Sequence, residues 1–472
     1  MKKECFAVID AGTTMVKAII FDRHGNILGS KSIECRLSTP APGFIEQNPN
    51  DIWKAVTETV KGAMKSSGTT PAGLSISNQR ATVMPLDESG NVLYPAITWM
   101  DTRVPPMSAE VNKKVSQRTS LIKILWLKET HPDIFRKTYK FATVDAFLYH
   151  RLTGVLGSDY SNAAYTLLDV KKLRWSDNLP DVCGVPVEKM VDLYPSGSII
   201  GEITPGASSE SGLPSGTPVI VGAGDQQCSS LGVGLTRKKI AKVTTGTGTF
   251  VDVCMDAPLF ELYEPMTKMF TLPHALRGKW LLEALLPGTG ALYRWFRDLL
   301  GMSEYSMLDE EASRIPPGSH GLILIPLFSF AHGAIHGLDF SHSRGHIARA
   351  IMESNGYGIR VFLELMSGLG IKVEELMVDG GGAKSGIWRQ MQADITGLPV
   401  ISTATVEHTS ALGAAILAGC GTGVYRSVEE AVGAMVRVKE RVEPIKVNRE
   451  EYAKHYPKFR EKFLKAASEL RI

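Results

Sequence analysis

Hydrophobic residues follow two rhythms along this chain. At the start they come in short β-rich runs: Cys5 to Asp10 (CFAVID), Val16 to Phe21 (VKAIIF) and Ile27 to Cys35. The small residues Ala11-Gly12-Thr13-Thr14 and the polar group Asp22 to Asn26 separate them, which predicts strand, tight turn, strand, turn, strand. From Asn50 to Met64 the period lengthens. Ile52, Trp53, Ala55, Val56, Val60 and Ala63 fall on one helical face, with Asn50 as the N-cap. Strands are expected again at Gly73 to Asn78 and Thr82 to Leu86, and a helix at Thr143 to Leu152. The Gly/Ser/Pro-rich stretch Gly201 to Pro218 reads by composition as a linker, or equally as loops between short strands.

Near residue 240 the opening pattern recurs. Ile240 to Val243 is a short strand, Thr244-Thr-Gly-Thr-Gly-Thr249 a turn of small residues, and Phe250 to Cys254 a strand. Two β-turn-β units half a chain apart point to two similarly built domains, residues 1–236 and 237–472, with the seam near Gly234 to Lys239. Helices follow at Thr289 to Leu300, Arg344 to Met366, Ser385 to Thr396 and Ser410 to Gly419. Strands are expected at Gly321 to Pro326, Glu375 to Asp379 and Pro399 to Thr403. This alternation is α/β. The end, Glu450 to Ile472, is an amphipathic helix with a solvated Lys/Glu face.

Composition narrows the function. With 472 residues the chain can bury large cores without disulfides or metal staples. Its 52 Lys+Arg against 49 Asp+Glu give a net charge of +3, no argument for a nucleic-acid or membrane-surface protein. The longest apolar stretch, Gly321 to Phe330, is too short and broken to span a bilayer, and Asp10 interrupts the N-terminal apolar run too early for a signal peptide. The six cysteines lie far apart with no C-x-x-C, against a disulfide scaffold or a cysteine zinc site. A cytoplasmic location is expected.

Three turns of Gly and Thr each follow a strand: Gly12-Thr13-Thr14, Gly246-Thr247-Gly248-Thr249 and Gly380-Gly381-Gly382. Such turns expose backbone N–H groups, and Thr hydroxyls add donors, which suits phosphate oxygens. Neither G-x-x-x-x-G-K-[ST] nor G-x-G-x-x-G is present, which disfavours a P-loop ATPase and a Rossmann dehydrogenase. Asp10 and Asp225 stand at strand ends beside small residues, where a carboxylate can serve Mg²⁺ or a hydroxyl proton. His332, His336, His342 and His346 form two i,i+4 pairs, but Gly333, Gly337 and Gly345 break the helix such pairs need. They read as ordinary polar or substrate-lining residues rather than ligands.

Taken in order, these residues resemble the FGGY carbohydrate kinases, and within them the glycerol kinases. The matching segments are Asp10-Ala-Gly-Thr-Thr14, Gly43-Phe-Ile-Glu-Gln-Asn-Pro49 with Trp53, Ser77-Asn-Gln-Arg80 and Ala96-Ile-Thr-Trp-Met-Asp-Thr-Arg103. Thr143 to Leu148, Leu152-Thr-Gly154, Asp159 to Ala163 and Gly222-Ala-Gly-Asp-Gln-Gln227 follow. Thr245-Gly-Thr-Gly248, Val378-Asp-Gly-Gly381 and Ala411-Leu-Gly-Ala-Ala415 complete the series. The resemblance implies two actin-like (ribonuclease-H-like) domains flanking a central cleft. It implies transfer of the ATP γ-phosphate to a hydroxyl of a sugar or polyol with Mg²⁺, and a homodimer or tetramer. It makes Asp225 the catalytic base and puts Asp10 near Mg²⁺. Thr13, Thr14 and Lys17 fall by the transferred phosphate, and Gly246 and Thr247 on the β- and γ-phosphates. Gly290, Gly381 and Ser385 line the nucleotide; Arg80, Trp99, Gln226 and Phe250 line the acceptor.

The departures bear on the acceptor. Glycerol kinases carry a Glu after the Arg of the Asn-Gln-Arg motif; here it is Ala81. A carboxylate accepting from two hydroxyls is a natural polyol clamp, and its loss argues against glycerol. The segment around Ser116 to Ile124 looks shortened and offers no Tyr to match the polyol-contacting one. Pro326 to Gly333 lacks several residues that the family usually places at the cleft. A pentulose such as xylulose or ribulose is the leading expectation, although the Gln-Met-His of xylulokinases is replaced by Asn78-Gln79-Arg80. A glycerol kinase with a rebuilt pocket is one alternative. A non-catalytic actin-like nucleotide-binding switch is another, which the presence of Asp225 disfavours. A sugar-sensing regulator is disfavoured by the lack of a DNA-binding appendage.

Overall fold

In the computed structural model of the chain, which describes residues 4–115, 118–259, 269–327 and 333–469, the opening hairpin lies in the middle of a six-stranded sheet. Strands β1 (Cys5–Ala11), β2 (Met15–Asp22) and β3 (Ile27–Glu34) form an antiparallel meander. Strand β4 (Gly73–Asn78) runs parallel to β1. Strand β5 (Ile199–Glu202) lies at the edge, antiparallel to β6 (Pro218–Gly224), which is itself parallel to β4. The order is β5-β6-β4-β1-β2-β3.

Successive side chains of a strand face opposite ways, and β1 shows the consequence. Ala7 and Ile9 enter one core with Ala18, Ile20 and the helix Pro49–Ser67. Phe6 and Val8 enter another with Ile19, Phe21 and the helices Asp225–Gly232 and Thr409–Gly421. That is why CFAVI, residues 5–9, is apolar without a break. The helix Pro49–Ser67 buries the apolar face expected of it, but its N-cap is Asn48, which accepts from the backbone N–H of Asn50. Gly68, at φ 62°, ends it in the left-handed conformation that glycine adopts without strain.

Gly201 to Pro218 is not a linker. It holds the end of β5 and a helix, Pro205–Ser211, capped by Thr204, and it buries Ala207 and Leu213 in the first core. Pro205 at the first helical turn and Gly212 after the last explain why a helix can form in so polar a run. The strand expected at Thr82 to Leu86 runs Val83–Leu86 and belongs to a four-stranded sheet whose other strands, Glu46–Gln47, Ala96–Ile97 and Lys140–Thr143, carry no clear period in the sequence; two of them are only two residues long. The helix Thr119–Thr130 packs against it through Leu121, Ile124 and Leu125.

A seven-stranded sheet repeats the plan. Its strands are β7 (Ile240–Thr245), β8 (Thr249–Met255), β9 (Met269–Pro273), β10 (Trp280–Leu286), β11 (Glu375–Asp379), β12 (Val400–Thr403) and β13 (Val438–Val442), in the order β9-β10-β8-β7-β11-β12-β13. As in the first sheet, the central hairpin is antiparallel, two parallel neighbours follow, and an antiparallel strand closes the edge. The two Gly/Thr hairpins therefore sit at matching places in two like sheets.

By contacts the chain forms two compact units. One is Met1–Gly232 with Leu272–Trp280 and His408–Val436; the other is Val233–Thr271, Leu281–Glu407 and Arg437–Ile472. A single seam after residue 236 was expected. The contacts change over at Gly232 and also return to the first unit twice, because Ala275, Leu276 and the small-residue helix Thr409–Gly421 complete the core behind β1. Among the described residues no helix is long and apolar enough to cross a membrane. His332 and parts of Ser116 to Ile124 and Pro326 to Gly333 lie outside the described residues.

Candidate active site

In the first unit, β6 ends in Gly222-Ala223-Gly224 and Asp225 opens the next helix. The glycines are required by close approach. A Cβ on Gly222 would lie 1.7 Å from the Ile76 carbonyl oxygen, and one on Gly224 2.4 Å from Arg80 Cγ. Asp225 is half-buried; its Oδ1 accepts from the Gln226 backbone N–H at 2.8 Å and lies 3.4 Å from Arg80 Nε. Arg80 is buried and also stacks near the Tyr165 ring, 5.6 Å from its centroid. The segment carrying Arg80 is tied down on both sides. Asn78 and Asn162 exchange amide hydrogen bonds of 3.1 and 3.0 Å, and Gln79 Nε2 donates to Gln47 Oε1 at 2.7 Å. Gln226 is half-buried in the first turn of its helix.

The first Gly/Thr turn closes by a Gly12 N–H to Met15 carbonyl bond of 3.0 Å. Gln47 Nε2 donates to the Thr13 carbonyl at 2.6 Å, and Trp99 Nε1 to the Thr13 hydroxyl at 2.8 Å. Thr14 is exposed, and Trp99 keeps 46% of its surface exposed, so the indole is anchored at one end and open along its face. Below the turn Asp10 and Lys17 stand opposite each other on β1 and β2. Desolvation pushes the Asp10 carboxyl up, against the pull of Lys17 and hydrogen bonds from Ser410 (3.1 Å) and Ser77. This unit thus gathers Asp10, Thr13, Thr14, Lys17, Arg80, Trp99, Asp225 and Gln226.

The second unit holds the rest. Gly246 N–H donates to the Gly248 carbonyl at 2.9 Å, and Ala291 N–H to the Thr247 carbonyl at 3.0 Å, docking the start of the helix Thr289–Leu299 onto the turn. Two kinds of glycine separate here. Gly290 is forced by packing, since its Cβ would lie 1.7 Å from the Gly246 oxygen. Gly380 and Gly382 press on Thr245, at 2.7 and 2.6 Å. By contrast, the Cβ directions of Gly246 and Gly381 meet nothing nearer than 4.0 Å. Those two leave backbone bare beside open space, which is the shape a phosphate cradle needs. Ser385 caps the helix Gly386–Thr396 by accepting from the Trp388 N–H at 3.3 Å. Phe250 is half-buried on β8, in the unit that does not carry Arg80, Trp99 and Gln226.

A buried polar network supports this turn. Asn355 Nδ2 donates to Thr249 Oγ1 at 2.6 Å, and its Oδ1 accepts from Trp388 Nε1 at 3.0 Å and Gln392 Nε2 at 2.9 Å. The hydroxyls of Thr249 and Thr289 lie 2.8 Å apart. Sequence reasoning missed Asn355, Trp388 and Gln392, as it missed Gln47 and Asn162. Gln47 and Asn162 at least stand inside segments that carried the resemblance. Of the histidines, His346 Nε2 lies 3.0 Å from His320 Nδ1, and its ring centroid 5.2 Å from that of His342. Among the described residues no group of three or more His, Cys, Asp or Glu is set to hold a metal ion.

The model of the N-terminal domain of the FGGY family of carbohydrate kinases matches residues 5–232, and that of the C-terminal domain residues 241–422. The chain belongs to the FGGY family of carbohydrate kinases. A glycerol kinase of Thermococcus onnurineus is 34% identical over 453 residues, 89% of this chain and 90% of its own. A glycerol kinase 2 of Thermotoga maritima is 33% identical, covering 96% and 97%. The crystal structure of a xylulose kinase from Rhodospirillum rubrum superposes with a TM-score of 0.88 at 25% identity, over 99% of this chain and 100% of that one. This FGGY kinase is a phosphotransferase with an alcohol group as acceptor and ATP as donor. Its two sheets belong to the two actin-like domains of the fold.

Proposed function

We propose that the chain transfers the ATP γ-phosphate to a hydroxyl of a sugar or polyol longer than glycerol, a pentulose first, with Asp225 as the base. The carboxylate that follows β6, half-open and 3.4 Å from a buried Arg80, is the observation that carries the reading. An Asp is ionised at neutral pH without any adjustment, and a base placed on the acceptor hydroxyl is worth roughly 10²–10⁴-fold. Arg80, with the open face of Trp99 and Gln226, supplies donors and a flat apolar wall for a polyhydroxylated chain; Phe250 is assigned to the same task. Phosphoryl transfer has a loose transition state, so positioning and charge neutralisation carry most of the catalysis. On the second unit, Gly246 and Thr247 are assigned to the β- and γ-phosphates, and Gly381, with open space in its Cβ direction, to the nucleotide. Gly290 keeps the helix close to that turn, and Ser385 acts through the helix it caps. Thr13, Thr14 and Lys17 are assigned to the transferred group.

Mg²⁺ fits Asp10. Its carboxylate lies one step below the Gly/Thr turn assigned to the transferred phosphate and is the hard oxygen donor that such an ion takes together with water and phosphate oxygens. Bound there, it would neutralise charge on the phosphates.

Ala81 supports an acceptor other than glycerol, since its methyl stands where the glycerol-kinase pattern has a carboxylate. The identity to glycerol kinases supports the second reading, a glycerol kinase with a rebuilt pocket. Coupled ADP release with Mg-ATP and a panel of C3–C7 polyols, ketoses and aldoses separates them. A pentulose is expected to give the largest kcat/KM, with Asp225→Asn keeping ATP binding and losing acceptor-dependent turnover. Glycerol as best acceptor would establish the second reading, and near wild-type turnover by the Asn variant would remove Asp225 from its role.

A further inference from the structure

We propose that Lys123 is a positioning residue for the acceptor side: its ammonium pins the Ala81 carbonyl and so fixes the backbone that carries Arg80. The inference rests on the reading of Arg80 given above.

Ala81 has φ +59°, a left-handed conformation that costs a residue with a Cβ and that glycine would adopt freely. Something must hold it. The helix Thr119–Thr130 sends Lys123 inward, where it is 2% exposed, and Nζ donates to the Ala81 carbonyl at 2.8 Å. Among the described residues this is the ammonium's one hydrogen-bond acceptor.

A buried lysine is an expensive way to satisfy one carbonyl, and its surroundings show the cost. Desolvation pushes the amine down to about 7, Asp101 opposes this, and Arg103 adds to it. Asp101 cannot serve as a direct partner. Its four acceptor sites are taken by Arg103 Nε (2.8 Å), the Arg103 backbone N–H (2.9 Å), the Arg103 terminal nitrogen (2.6 Å) and the Ile45 N–H (2.7 Å). Arg103 also reaches Glu46 at 2.8 Å and lies over the rings of Phe44 and Trp126. The helix is thus anchored by its own apolar contacts and by this cluster, which leaves the lysine head to act on residue 81. Neighbouring Arg80 has its stem against Gly224 and its Nε beside Asp225, so a change of φ at residue 81 would swing the guanidinium away from the proposed base.

The test compares Lys123→Met, Lys123→Arg and the double variant Lys123→Met/Ala81→Gly. It reads amide hydrogen exchange over Gln79 to Met84, and KM and kcat for acceptor and for ATP. Measured at pH 6, where the amine is charged, a hydrogen bond of this kind controls an equilibrium by about tenfold or more. Lys123→Met should therefore raise exchange in that segment and the acceptor KM by about tenfold or more, with the ATP KM within about twofold. Lys123→Arg should recover part of the loss. The double variant should recover part of it as well, because glycine keeps a positive φ without the pin. Unchanged exchange and acceptor KM in Lys123→Met would overturn the proposal. So would a parallel rise of both KM values with a lower urea midpoint that the double variant does not improve. If wild-type protein phosphorylates no acceptor, the functional reading fails, while the exchange data still decide the role of Lys123.

Discussion

Exchanging Gly246 and Gly290 for alanine, one at a time, separates the cradle from its scaffold. At Gly246 the new Cβ has no neighbour nearer than the Gly248 oxygen at 4.0 Å, and φ is not in the left-handed range. The fold has room for it. Reduced freedom of the unfolded chain should even add about 0.4–1 kcal/mol of stability. The Gly246 N–H is given to the Gly248 carbonyl, so a phosphate would bind the N–H groups that follow it, and an oxygen drawn to within about 2.9 Å of them past Gly246 would meet the methyl. Losing one charge-assisted hydrogen bond costs about 1.5–3 kcal/mol, so the ATP KM should rise roughly 10- to 100-fold. At Gly290 the Cβ would lie 1.7 Å from the Gly246 oxygen, and the two backbones must separate by more than an ångström. Overpacking of that kind costs about 1–3 kcal/mol, and here it also tears the helix from the turn. Thermal or urea unfolding together with initial rates over a range of ATP gives both numbers. The expected result is a Gly246→Ala protein as stable as wild type with a high ATP KM, and a Gly290→Ala protein that is destabilised. A Gly246→Ala enzyme with an ATP KM within twofold of wild type would refute the assignment of that turn to phosphate.

Two further outcomes test the interior. Asp145 and Asp159 are buried together; burial first and Asp145 second raise the Asp159 carboxyl to about 7, and burial raises Asp145 as well. Between the ordinary carboxylate range and pH 7 the native state keeps a proton that the unfolded state releases, so this pair makes stability fall as pH rises. Urea midpoints from pH 5 to 8 should show a flatter pH dependence in Asp159→Asn than in wild type, and equal slopes would speak against the raised value. Lys242 and Asp252, fully buried and 2.8 Å apart, face each other across the second hairpin. Lys242→Met removes the cation 2.8 Å from a buried carboxylate and should cost about 3–5 kcal/mol in chemical denaturation, and a loss below about 1 kcal/mol would show that other groups hold Asp252.

Elements with a strong repeat of apolar residues were legible in the sequence. Gly73–Asn78 and Glu375–Asp379 are strands at the expected bounds, and the helix expected at Thr289 to Leu300 runs Thr289–Leu299. Elements whose order comes from distant partners were not. Glu46–Gln47 and Ala96–Ile97 are too short to carry a period and exist because they pair with each other and, through Ile97, with Val83. The Pro205–Ser211 helix hid in a stretch whose composition suggested a linker. The same division holds at the site. Asp225 and the glycine turns announce themselves by type and place. Asn355 does not, because a polar residue inside a helix reveals its purpose only when Thr249, Trp388 and Gln392 arrive from other elements. Nor could glycine composition tell that Gly290 serves packing while Gly246 faces open space.

The two like sheets carry unlike charges at the mouths of their hairpins. One step below the first turn, the facing pair is Asp10 and Lys17; at the same step below the second, it is Thr244 and Phe250. The second hairpin keeps its own ion pair two steps deeper, between Lys242 and Asp252, where both partners are sealed from solvent. Duplication of a plan has thus not meant duplication of chemistry. One copy presents an acid and a base to whatever arrives, and the other presents a neutral rim. Among the described residues the second hairpin has no carboxylate that answers to Asp10, the proposed seat of Mg²⁺, and calorimetric titration of the nucleotide-bound protein should count one ion rather than two.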